Sequence, residues 1–278
     1  MKKLSLLTLF LAVILAVSSC KKEENKGDGI EPGANITVPQ KNLALVQKHT
    51  GSLCGPCGSW GWAAFDEIMS TNSSNAAFVA AFSENFVAEL FITQTATEED
   101  NAWGVTGYPT FTANGVAQLD RPGGSVNVPS EKAKVKAAVD AHVAAPVQAN
   151  TGFTTAVSGD QFVIETKTNF FAEGNGDYYV SVYVLEDNVV GKQSGHPQTP
   201  NVTHHHVLRG AATLSGRASA KTFGEKIASG TVAAGTSVYK KFIFDIGENH
   251  NTANYEVVTV IWKKNGTKYA FVNANSNQ

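Results

Sequence analysis

Two cysteines, spaced to close on each other, carry the clearest chemical signal in this 278-residue chain: Cys54-Gly55-Pro56-Cys57. A C-x-x-C spacing allows a small disulfide ring. At a helix start, backbone N–H donors and the positive end of the helix dipole favour thiolate over thiol, the form that attacks a disulfide. Such a pair either exchanges with other thiols or stays closed as a structural disulfide.

The motif sits among elements able to position it. Leu43 to Val46 reads as a short apolar strand, and Pro56 to Met69 as a helix with Pro56 in its tolerated first turn. Ala76 to Phe82 is a second strand, apolar enough to be buried on both faces. Thr95-x-x-Glu98 has the form of a capping box, opening a short helix towards Trp103. Pro109 to Ala113 and Val116 to Leu119 flank Asn114-Gly115, a strong two-residue hairpin signal. Ser130 is placed to cap a helix that Pro146 stops. Beyond Pro146 the helical periodicity ends. Phe162 to Thr168, Tyr178 to Leu185, Tyr239 to Asp245, Tyr255 to Trp262 and Tyr269 to Asn273 alternate as strands, which predicts a β-sandwich.

The N-terminus is an address rather than a fold. Lys2 and Lys3 precede the apolar run Leu4 to Val17, and Val17-Ser18-Ser19-Cys20 closes it with small residues. This resembles a bacterial lipoprotein signal, which implies cleavage after residue 19 and acylation of Cys20. Each buried acyl CH₂ contributes roughly 0.8 kcal/mol, so several chains anchor firmly without a spanning helix. With Cys20 lipidated, Cys54 and Cys57 form the one possible intramolecular disulfide. Lys22-Glu23-Glu24 resembles the surface-export signal of Bacteroidetes lipoproteins, and is equally a solvated spacer. Residues 20–40 hold few large apolar groups and read as a flexible tether. Removing residues 1–19 takes the formal charge from −2 to −4, and neither a basic patch nor an acidic tail points to nucleic acid.

The order β-α-β-α-β-β-α over residues 41–146, with C-G-P-C at the first helix and Gly107-Tyr108-Pro109-Thr110 just before the hairpin, resembles the thioredoxin fold. The resemblance implies a cis Pro109 lying against the disulfide and Tyr108 offering backbone hydrogen bonds to a substrate strand. It implies that Cys54 attacks and Cys57 resolves, while Gly55 and Pro56 shape the turn and help set the potential. The Gly-Pro pair matches thioredoxin, at roughly −270 mV, rather than a strong periplasmic oxidant at roughly −120 mV. Two positions depart from that pattern: Lys48 stands where thioredoxins carry a buried acid, and Leu53 where they carry Trp. Lys48 or His49 is then either a helper or a solvent-facing residue.

A wider resemblance spans nearly the whole mature chain. It rests on the lipoprotein signal, Thr50-Gly51-Ser52-Leu53-Cys54-Gly55-Pro56-Cys57, the Val182 to Asp187 strand and His204 to Arg209. These resemble the Bacteroidetes family named for a 28-kilodalton outer-membrane protein. That implies a thioredoxin-like domain (41–146), then an all-β immunoglobulin-like sandwich (147–278), in a lipid-anchored outer-membrane protein facing the periplasm or the cell surface. Thiol-disulfide exchange on envelope proteins is the leading expectation. A non-enzymatic surface binding or adhesion protein with a locked Cys54–Cys57 disulfide is the alternative. His204 and His206 would share one face of a strand, but no carboxylate or thiol completes a metal set in sequence. No phosphate-cradling glycine loop or serine-hydrolase elbow occurs, and no cofactor is expected.

Overall fold

Strand β1 (Ala44–Thr50) is buried along its whole length, so its side chains alternate between two covered faces rather than between core and water. The computed structural model describes residues 33, 35–83, 91, 93–215 and 221–278. The expected signal segment and Cys20 lie outside the described residues. From β1 the chain enters α1 (Gly55–Gly58), α2 (Trp60–Asn72), β2 (Ala76–Phe82) and α3 (Gln94–Trp103). The hairpin β3 (Thr110–Ala113) and β4 (Val116–Ala117) follows, then α4 (Val128–Val143). Asn114 and Gly115 take positive φ angles of 56° and 74°, which a tight hairpin turn requires.

Beyond Pro146 the described elements are strands, apart from one 3-10 turn at Thr252–Asn254. In order come β5 (Ala149–Ser158), β6 (Gln161–Phe170), β7 (Gly174–Asn175), β8 (Tyr178–Glu186), β9 (Val189–Gly191) and β10 (Val202–His204). Then follow β11 (Val207–Ala211), β12 (Glu225–Ala228), β13 (Thr231–Val232), β14 (Ser237–Asp245), β15 (Tyr255–Asn265) and β16 (Lys268–Ser276).

The two stretches share one sheet. Its order is β16-β15-β8-β11-β2-β1-β3-β4, with β12 also on β8. The seam is the parallel pairing of β2 with β11, where the Ala80 N–H donates to the His206 carbonyl at 2.8 Å. One face of the sheet carries Leu45, Val79, Leu185, Leu208, Val260 and Trp262 in a single core. On the other face α2 and α4 cover Ala44, Val46 and Phe111. There the three-stranded sheet β14-β6-β5 also lies against β8 and β15, closing a sandwich core around Ile164, Val182, Phe242 and Val257.

Several local expectations are corrected. The helix expected from Pro56 to Met69 breaks at Ser59 (φ −86°, ψ −100°) and resumes as far as Asn72. Thr93, not Thr95, caps α3, because Thr95 is buried and accepts from the Ala211 N–H instead. Asn127, not Ser130, caps α4. The strand expected through His204–His206 splits, since His206 adopts φ 55° between β10 and β11. The tether ends earlier than residue 40. Ile36 is buried, and the Asn150 side chain donates to the carbonyls of Pro39 and Lys41. Among the described residues, no helix is long and apolar enough to cross a membrane.

Candidate functional site around Cys54 and Cys57

The loop after β1 delivers Cys54 to the N-cap of α1, and a disulfide joins it to Cys57. Cys54 is 8% exposed and Cys57 wholly buried, so only the first sulfur is open to an incoming group. The Cys57 backbone N–H points at Cys54 Sγ from 3.2 Å. A hydrogen bond to sulfur favours its charged form, so this donor supports a Cys54 thiolate when the pair is reduced. The helix-dipole contribution is smaller than the sequence suggests, because α1 is a single turn set off from α2 at Ser59.

Opposite the sulfurs lies the loop before β3. The Tyr108–Pro109 peptide is cis, and the Tyr108 carbonyl oxygen is 3.8 Å from Cys54 Sγ. Both residues are held from behind. Arg121 Nη2 donates to the Pro109 carbonyl at 2.8 Å, and its Nε bonds the buried Glu131 carboxylate at 3.2 Å. The Tyr108 hydroxyl donates to Asp100 and also meets the Ser83 hydroxyl. Asp100 in turn bonds His49 Nδ1 at 2.6 Å, and His49 Nε2 meets Thr112 Oγ1 at 3.2 Å. Gly61 leaves room for Pro109, since a Cβ there would stand 2.5 Å from the proline ring.

Between these walls opens a cavity of about 570 Å³ lined by Leu53, Cys54, Gly55, Pro56, Val105, Thr106, Gly107 and Tyr108. Four expected site residues, Cys54, Gly55, Pro56 and Tyr108, line it together. Cys57 and Pro109 are buried beside it. Leu53, in place of the expected tryptophan, is 45% exposed at the rim.

Lys48 and His49 are not solvent-facing. Lys48 is buried, with its Nζ 4.7 Å from the ring centres of both Trp62 and Phe65. Burial lowers its ammonium to about 8, opposed by the nearby Asp66 carboxylate. The folded pKa thus lies below the unfolded one. The unfolded chain binds the extra proton between about pH 8 and 10.5, so this residue makes stability rise with pH across that window. Lys48→Met is expected to remove that slope in urea unfolding. It should also raise stability at pH 7 by roughly 1–3 kcal/mol, less the two cation–π contacts it gives up. An unchanged slope would show that Lys48 is charged at little cost.

The least expected contributor is the segment between β9 and β10. Gln193 Nε2 donates to the carbonyls of Gly51 and Cys54 at 3.0 and 3.1 Å. The Ser194 N–H donates to Ser52 at 2.8 Å. A Cβ on Gly58 would fall 2.2 Å from the Ser194 carbonyl oxygen, and one on Gly195 would fall 2.1 Å from that of Gly55. A loop from beyond Pro146 thus clamps the backbone of the cysteine motif, and two glycines make the contact possible. His196 stands beside it, 4.7 Å from the Trp62 ring. His204, expected on a shared face with His206, is instead buried among Trp62, Phe82 and Phe91. Burial, then the Lys48 charge, lowers its imidazole to about 4.

Comparison with known proteins adds a family and a fold. The family model described as "Outer membrane protein Omp28" matches residues 96–277. Among solved structures, HBP35 of Porphyromonas gingivalis superposes with a TM-score of 0.65 at 13% identity, covering 87% of this chain and 76% of that one. That likeness speaks for the fold alone. A domain of the outer membrane lipoprotein Omp28 from Porphyromonas gingivalis is 16% identical with a TM-score of 0.30, over 47% of this chain and 86% of that one. No curated protein matches the chain.

Proposed function

The chain belongs to the Omp28 family of outer membrane proteins, and from that membership we propose a lipid-anchored thiol-disulfide exchange protein of the envelope. Cys20 would carry the lipid, a thioredoxin-like unit would carry the chemistry, and the immunoglobulin-like β layers would support it and present it to partners. One observation carries this reading. A nearly buried disulfide opens through a single sulfur into a groove whose far wall is the Tyr108 carbonyl.

In the reducing direction the Cys54 thiolate attacks one sulfur of a substrate disulfide. A Cys54–substrate bond forms, and the other substrate sulfur leaves as thiolate. Cys57, deprotonated, then attacks Cys54 Sγ, restores the Cys54–Cys57 bond and releases the second substrate thiolate. Two electrons pass from the dithiol to the substrate, and the reverse sequence oxidises a substrate dithiol. The Cys57 N–H favours charge on Cys54 at the start, and Tyr108 with Pro109 aligns the substrate backbone.

A second reading has its own support. The clamp by Gln193, Ser194 and Gly195 holds the motif from one side, as a binding scaffold with a locked disulfide would require. Insulin reduction and refolding of a scrambled disulfide protein separate the two. Turnover by the wild type, lost in Cys54→Ser, supports exchange. Equal behaviour of both proteins, with a disulfide that resists dithiothreitol, supports the scaffold. Protease shaving of intact cells reports which side of the outer membrane the protein faces.

A further inference from the structure

We propose that Asp187, His206 and Glu256 bind a divalent transition cation of the zinc class where the ends of β8, β11 and β15 meet. One ligand atom from each lies within 4.8 Å of the other two. An imidazole with two carboxylates is a mixed nitrogen and oxygen donor set of the kind zinc accepts, and three protein ligands leave a position for water or a fourth group.

The three residues come from three separate strand ends, which fixes their spacing. Glu256 lies near the start of β15, opposite Leu185 of β8. Asp187 directly follows β8, and its N–H donates to the Asn254 carbonyl at 2.9 Å. His206 precedes β11, with its carbonyl tied to the Ala80 N–H of β2. It holds φ 55°, in the left-handed region that His, like Asn and Asp, enters more often than other side chains do. His206 Nδ1 and Glu256 Oε2 already stand 2.7 Å apart, and both side chains are more than four-fifths covered. His205 Nδ1 lies 2.7 Å from Asp187 Oδ1 and supplies a further imidazole beside the set. Gln278 Nε2 approaches His206 Nδ1 and Glu256 Oε2 at 3.2 and 3.4 Å, so an entering cation would displace this amide. Binding there would tie the turn before β11 to β15 and to the end of β8.

The test uses tag-free, oxidised protein carrying residues 20–278, titrated with Zn²⁺ against a chromophoric chelator. One equivalent should bind, and the thermal midpoint should rise with zinc, since a ligand that binds only the folded state stabilises it. Glu256→Gln, which keeps shape, and His206→Asn, which tolerates the left-handed backbone, should each weaken binding by at least about 10-fold. The double variant Cys54→Ser/Cys57→Ser should bind as wild type does. No uptake by the wild type, undiminished uptake by Glu256→Gln, or uptake that vanishes with the cysteines would each overturn the proposal.

Discussion

If the Cys54–Cys57 pair exchanges disulfides as proposed, Cys57→Ser is expected to turn the protein into a covalent trap. Cys57 is wholly buried and Cys54 is not, so a substrate sulfur reaches Cys54 first. With serine at 57 the attack still occurs, but no second thiolate remains to release the adduct. Envelope extracts should yield discrete higher bands on non-reducing gels that dithiothreitol removes, while insulin turnover falls to background. Cys54→Ser should give neither adducts nor turnover. The two variants separate attack from resolution, because residues acting as one unit each abolish turnover when removed. Adducts formed through Cys57 when Cys54 is absent would reverse the assigned roles.

Gly195→Ala is expected to cost about 3 kcal/mol or more in urea unfolding. Gly195 has φ 82°, and an added Cβ would stand 2.1 Å from the Gly55 carbonyl oxygen, a backbone atom. The left-handed conformation alone costs an L side chain about 1–2 kcal/mol. Relieving the clash withdraws the loop and breaks bonds from Gln193 and Ser194, each worth about 0.5–1.5 kcal/mol. Gly230→Ala is the control. Its φ of 70° is similar, but nothing lies within 4 Å of the new Cβ, so only the backbone cost of about 1–2 kcal/mol is expected. Equal losses in the two variants would show that the clamp contributes little. If the clamp does hold the motif, Gly195→Ala should also make the disulfide faster to reduce.

What the amino-acid sequence revealed of the site was local. The Cys54–Cys57 spacing, the Tyr108-Pro109 pair and the Asn114-Gly115 turn are each complete within a few residues. Their order along the chain was enough to bring Cys54, Gly55, Pro56 and Tyr108 to one groove. The clamp was not legible, because Gln193 meets Gly51 across 142 positions and its polar neighbours read as an ordinary loop. Asp187 and Glu256 were missed for the same reason: carboxylates distant in sequence converge on His206 only once β8 and β15 pair. Burial of Lys48 and His49 was hidden by their polar side chains, although an otherwise buried β1 leaves them no route to water. The joining of both halves in one sheet rests on a single parallel register pair, which no periodicity announces. Cap positions slipped because several cap-forming residues cluster, and tertiary contacts chose among them. Thr95 was claimed by the Ala211 N–H, leaving Thr93 to cap α3.

The equilibrium reduction potential of the Cys54–Cys57 pair decides whether it is a working dithiol. Titration against dithiothreitol and glutathione buffers, read by thiol alkylation, should give a reversible two-electron transition nearer roughly −270 mV than −120 mV. A pair that stays oxidised well below about −300 mV, as structural disulfides do, would contradict it.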